Sequence, residues 1–167
     1  MPKLRLDDWQ QHPGAANRLT GQDNGPHATL VLGDQAGLAQ FGVHLERLPP
    51  GSRSSHRHWH ETEDEFVLVL SGELVLVEDV ETVLRAGDAA AWAAGAPVAH
   101  CLENRSADVA TCLVVGTRAA AGIVHYPDHD LVMRHDAAGR RFFRGDGSPV
   151  EPAPAPPGDD GQPTAHG

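Results

Sequence analysis

Cationic side chains, cysteines and aromatics are all scarce in this chain. Its 167 residues carry 13 Lys and Arg against 23 Asp and Glu, a net charge of −10. Binding to a phosphate backbone needs a concentrated basic surface, so no nucleic-acid partner is expected. The two cysteines, Cys101 and Cys112, are too few for a disulfide framework. Each reads instead as a small buried apolar side chain. Aromatic residues make up 5% of the chain, but the 40% of hydrophobic residues is enough to bury a core. No apolar run reaches the roughly 18 residues of a membrane helix, so no membrane partner is expected. The opening MPKLRLDDWQQH lacks the apolar stretch of a secretory signal, which predicts a cytoplasmic protein. Also missing are a G-x-S-x-G nucleophile elbow, a phosphate-binding glycine loop and a supported Cys/His pair.

What is present is a β rhythm. TLVLG (29–33), FGVHLERL (41–48), ETVLRAGD, AAAWAAG, AHCLEN and ATCLVVGT are short segments closed by turn formers about every ten residues. EFVLVLSGELVLVED reads as a hairpin about Ser71-Gly72. Many short strands without a helical period predict an all-β sandwich or barrel. The length suits one domain. Its expected parts are an irregular N-terminal arm over 1–27, a barrel over 28–125 and a C-terminal extension over 126–147. A Pro/Gly-rich acidic tail over 148–167 is too poor in apolar residues to order itself. RHDAAGRRFFRGDG reads as a mixed loop.

Two blocks carry the chemistry, GSRSSHRHWHETEDEFVLVLSG (51–72) and GDAAAWAAGAPVAHCLEN (87–104). Histidines at i and i+2 of an extended segment share a face. Glu65 follows in the same block and leads directly into Phe66-Val67-Leu68, where an uncompensated buried carboxylate would be costly. His100 adds a third imidazole. Such a set can close on one divalent cation. His56 shares the face of His58 and His60 and is held in reserve. Asn104 suits a backbone hydrogen bond better than a ligand role.

The blocks resemble the two motifs of the cupin superfamily. The first is His58-x-His60, four residues, Glu65, six residues, Gly72; the second runs Gly87, five residues, Ala93-Ala94-Gly95, four residues, His100, three residues, Asn104. Against the family pattern, the spacer from Gly51 to His58 is one residue longer. Ala93 stands for a proline, and the approach to His100 is two residues longer. The resemblance covers about residues 38 to 116. It implies a double-stranded β-helix, or jelly-roll barrel, of the small mannose-6-phosphate-isomerase-like kind. It also implies one divalent metal (Zn, Fe, Mn or Ni) on His58, His60, Glu65 and His100. Cupins with this ligand set include dioxygenases, isomerases, decarboxylases and sensors, so the resemblance constrains the site more than the reaction.

By alternation Val67, Val69 and Leu102 face inward with the ligands, while Trp59 and Arg57 face away. A mostly aliphatic pocket with one Lewis acid suits a small ligand chelating through oxygen. The expected function is that of a metal-dependent enzyme on such a ligand. The alternatives are a non-catalytic binding or sensing barrel and a purely structural metal. Open sheet edges and outward apolar residues predict a homodimer. His125, Tyr126, His129 and His135 form a second cluster, expected to be polar surface or the rim of the barrel.

Overall fold

A computed structural model describes residues 3–153. Fourteen strands follow one another: β1 Gln10–His12, β2 His27–Val31, β3 Phe41–Leu48, β4 Trp59–His60, β5 Glu65–Ser71, β6 Glu73–Val77, β7 Thr82–Arg85, β8 Ala89–Trp92, β9 Cys101–Glu103, β10 Ala110–Thr117, β11 Gly122–Tyr126, β12 Leu131–Asp136, β13 Gly139–Phe143 and β14 Pro149–Val150. The helical pieces among the described residues are a single turn, α1 Leu32–Gln35, and a 3-10 turn at Pro127–His129. The strands form an antiparallel six-stranded sheet (β1-β2-β3-β10-β5-β8), a five-stranded sheet (β14-β13-β12-β11-β4) and a three-stranded sheet (β7-β6-β9). This is the all-β cupin architecture that the strand rhythm and motifs predict.

Period-two alternation builds the core. Leu74 and Leu76 of β6, Val67 and Val69 of β5, Leu48 of β3 and Leu102 of β9 are buried in one cluster with Leu84, Trp92, Ala110 and Cys112. Each such aliphatic side chain contributes about 1.5–3 kcal/mol. Both cysteines are free and buried.

The expected hairpin about Ser71-Gly72 is not formed. β5 pairs with β8 and β10, whereas β6 pairs with β7 and β9. One residue, Gly72, separates the two strands, and a tight hairpin needs two. The chain turns a barrel corner there instead. Gly72 has φ +78°, and a Cβ on it would lie 2.8 Å from Ala110 Cα, so both conformation and space require glycine.

The segment RHDAAGRRFFRGDG is likewise ordered. β13 pairs with β12 from Asp136↔Gly139 to Val132↔Phe143. The turn is set by Asp136, whose Oδ1 accepts from Ala138 N–H at 2.8 Å, and by Gly139 at φ +113°. Of the tail, Pro149–Val150 pair with Phe142 and Phe143, and Ala153 N–H donates to Arg18 C=O. Residues 154–167 lie outside the described residues. The N-terminal arm adds β1 to the edge of β2, and Arg47 covers the ring of Trp9 at 3.7 Å.

Candidate metal centre

Four chain segments bring the three imidazoles and the carboxylate of the two motifs together. His58 and His100 exchange backbone hydrogen bonds in both directions, at 3.1 and 3.0 Å, which sets their rings side by side. His60 ends β4 and is held by Gly95 N–H donating to its carbonyl at 2.9 Å. Glu65 opens β5, between Trp92 of β8 and Gly116 of β10. From Glu65 Oε2 the distances are 3.3 Å to His100 Nε2, 3.5 Å to His60 Nε2 and 3.9 Å to His58 Nε2. Donor atoms of His58, Glu65 and His100 all lie within 4.8 Å of one another. Those three can hold a metal ion, and His60 reaches the same carboxylate oxygen.

The groups behind the rings fix which nitrogen is offered. His58 Nδ1 lies 2.9 Å from the His56 carbonyl and His100 Nδ1 lies 2.9 Å from the Val98 carbonyl. His60 Nδ1 lies 3.1 Å from Glu63 Oε2. Each acceptor favours a proton on Nδ1 and so a lone pair on Nε2, toward Glu65. Glu63 in turn accepts from Ala119 N–H at 3.1 Å. The Trp92 ring stacks on His100 at 3.6 Å and 6°, and its indole N–H donates to Glu78. Donor set and tautomers therefore fit a borderline divalent cation.

The electrostatics agree. Burial brings the His58 pKa down to about 4, only partly opposed by Glu65, so the ring is neutral near pH 7. Burial works against ionisation of Glu65. A hydrogen bond with His100 and the attraction of all three imidazoles outweigh it and lower its pKa to about 2. Neutral imidazoles and an ionised carboxylate are the states that bind metal.

Asn104 serves the backbone. Its side-chain N–H groups donate to the carbonyls of Leu48 (2.6 Å) and Asp108 (2.8 Å), while Ser106 donates to its Oδ1. His56 is buried but turned aside, with Nε2 3.0 Å from Thr20 Oγ and its ring edge-on to His129. Trp59 faces away from the cavity and stacks on His125 at 4.2 Å. Arg57 pairs with Asp79 and Asp128 outside it. Of the second His cluster, Tyr126 reaches the cavity, its ring stacked 5.7 Å from His58.

β3 supplies cavity groups that the motifs do not contain. Gly42, His44 and Glu46 line the cavity together with Val67, Leu102, Val114, Met133 and Arg118. Glu46 is 5% exposed. Burial, reinforced by the charge of Glu65, raises its pKa to about 8. The signal available in the sequence was parity, since residues 42, 44 and 46 of an extended strand share one face.

An antiparallel barrel whose inner wall offers three imidazole nitrogens around one carboxylate defines a metal-site barrel. The chain belongs to the cupin superfamily. The description "Cupin domain" matches residues 44–116. A sugar phosphate isomerase of the cupin superfamily from Silicibacter pomeroyi is 44% identical over 90% of this chain and 97% of its own, with a TM-score of 0.79. A structure from Acidithiobacillus ferrooxidans, provisionally assigned as a sugar phosphate isomerase, is 28% identical over 75% of this chain and 81% of its own, TM-score 0.71. No curated protein matches the chain.

Proposed function

We propose that this chain is a metal-dependent isomerase of a small hydroxy-carbonyl compound that chelates through two oxygens. The observation that carries the reading is the convergence of the Nε2 atoms of His58, His60 and His100 on Glu65 Oε2, at 3.9, 3.5 and 3.3 Å. With these four side chains as ligands, a six-coordinate divalent cation keeps two positions for substrate oxygens, and it supplies Lewis acidity at the carbonyl. The name of the Silicibacter relative supports an isomerase over an oxidase. Exchange of carbonyl and hydroxyl between neighbouring carbons moves one proton from carbon to carbon and a second from the hydroxyl oxygen to the carbonyl oxygen. A carboxyl group facing the cavity with a pKa near 8 suits a base that takes the proton and returns it. Glu46 is assigned that role, and the surrounding Val67, Val114 and Met133 keep the site poor in water.

The test loads the purified protein with Mn, Zn, Ni or Fe(II) and offers short aldoses, ketoses and their phosphates in deuterated water. Expected is metal-dependent interconversion with deuterium entering at the carbon next to the carbonyl, followed by NMR. Oxygen uptake with Fe(II) would overturn the isomerase in favour of a dioxygenase. Tight binding without turnover or exchange would overturn it in favour of a sensing barrel.

The homodimer belongs to the same proposal. The outer face of the six-stranded sheet is apolar in register, with Val43, Val115 and Phe66 in one row and Leu45, Leu113 and Leu68 in the next. Phe66 is 39% and Leu70 46% exposed. Exposed apolar rows of this kind mark protein contacts, and a two-fold axis through the face would set it against its own copy. Sedimentation at micromolar protein is expected to give a dimer, and Phe66→Glu a monomer with an unchanged circular dichroism spectrum. A monomeric wild type refutes the contact.

A further inference from the structure

Beside Glu65 the cavity is lined by two glycines, Gly42 and Gly116, which put bare backbone on its wall. Gly42 of β3 and Gly116 of β10 are cross-strand partners, and Gly116 is also the partner of Glu65 on β5. Neither glycine has a positive φ, so backbone conformation does not call for glycine at either place. Space does not forbid a side chain either. The nearest atoms to a Cβ on Gly42 would be Arg118 Nε at 3.6 Å and Gly116 O at 3.8 Å, and to one on Gly116, Asp64 O at 3.4 Å. These are ordinary contacts. Glycine inside a strand costs stability, and it marks places where something must come close to the backbone.

Arg118 stands at the end of this bare strip. Among the described residues lining the cavity it is the only Lys or Arg. It lies two residues beyond Gly116, about 7 Å along the strand direction. Its NH1 donates to the Leu38 carbonyl at 2.9 Å, and its NH2 pairs with Asp34. Those bonds orient the guanidinium and leave further N–H donors, with Nε on the Gly42 side. Asp34 is 63% exposed, so its pairing with Arg118 is screened by water and yields to a better-placed anion.

We propose that the ligand carries an anionic group, carboxylate or phosphate, at the end remote from its chelating oxygens, and that this end lies over Gly42 and Gly116 and is held by Arg118. The inference rests on the metal reading above and adds the substrate class, a short hydroxy- or oxo-compound with a distal anion. Arg118 is then a specificity residue, not a catalytic one.

Binding to cobalt(II)-loaded protein, followed by the visible cobalt spectrum, tests it without turnover. Two pairs of probes share a chelating end and differ at the far end: malate against 2-hydroxybutyrate, and 3-phosphoglycerate against glycerate. The anionic member of at least one pair should bind about tenfold tighter or more, as one charge-assisted contact provides. The pair with the larger ratio tells carboxylate from phosphate. Arg118→Gln should remove the ratio and leave 2-hydroxybutyrate and glycerate unchanged, while Arg118→Lys restores part of it. The double variant Gly42→Ala, Gly116→Ala should keep its cobalt and melt no lower than wild type, yet lose affinity for the anionic probes. A ratio near one in cobalt-loaded wild type, or a ratio that survives Arg118→Gln, overturns this inference alone. Protein that takes up no cobalt overturns the metal reading and this inference with it.

Discussion

Alanine at both His58 and His60 is expected to abolish stoichiometric metal uptake, read by elemental analysis of protein dialysed against excess zinc or manganese. The two substitutions remove half of the donor set and leave Glu65 and His100, a pair too small to displace water from a divalent cation with useful affinity. A second loss follows in stability. Ligand at one hundred times its dissociation constant stabilises a fold by about 2.7 kcal/mol, and that increment disappears with the site. The metal-free double variant should also melt below metal-free wild type. Glu65 is buried and ionised because three imidazoles surround it, and removing two of them leaves a charge in an apolar wall. His56→Ala is the internal control. His56 bonds to Thr20 and packs on His129, away from Glu65, so that variant should keep its metal. Full metal content in the double variant, or loss of metal on His56→Ala, would falsify the assignment of ligands.

Three members of the candidate centre could be picked out because they sit close in sequence where parity can be counted; His100, 35 residues beyond Glu65, is suggested by the second motif. His58 and His60 share a face by alternation, and Glu65 is followed at once by apolar residues that place it inside. The parts that were not legible depend on which strands become neighbours. The run Phe66–Leu70 followed by Glu73–Val77 looks like a hairpin, because two apolar segments about Ser-Gly satisfy the local rule. Among their actual partners, β10 pairs with β5 across 40 to 51 residues and β9 with β6 across 24 to 28, and no local pattern names them. The face of β3 misleads for a chemical reason. Val43 and Leu45 are the apolar side of FGVHLERL and would be assigned inward in a solid core. Here the inward side is Gly42, His44 and Glu46, because the inside of this barrel is a site and the apolar side is turned out. Gly139 and Asp136 did carry a turn signal for the β12–β13 pair. It was obscured by the arginines that follow, which are tolerable in a strand only because their side chains reach solvent.

Glu46→Gln is expected to change the pH dependence of stability strongly between pH 5 and 9. Burial and the nearby Glu65 raise the Glu46 pKa from 4.5 to about 8. Between those values the folded chain holds a proton that the unfolded chain has released. Unfolding then releases a proton, so stability falls as pH rises across the window, with a slope approaching about 1.4 kcal/mol per pH unit. Below pH 4.5 both states hold the proton and the contribution is constant; above about 8 both have lost it and the penalty is complete. Glutamine matches the protonated carboxyl in shape and does not titrate. Metal-free Glu46→Gln should therefore equal wild type near pH 4.5 and exceed it increasingly toward pH 8 and beyond, by an amount on the order of a few kcal/mol. His58, with its pKa near 4, and Glu65, near 2, titrate in both proteins and largely cancel in the difference. Their own effect has the opposite sign, since a depressed imidazole or carboxylate pKa makes stability fall as the solution is acidified through it. Urea unfolding of the two metal-free proteins from pH 5 to 9 measures the difference directly. Curves that stay parallel would show that Glu46 is ionised in the fold throughout, and would remove it as the proton-carrying group. Saturating metal supplies a second check. A cation beside Glu65 offsets the charge that helps hold Glu46 protonated, so the wild-type curve should flatten toward that of the variant when metal is added.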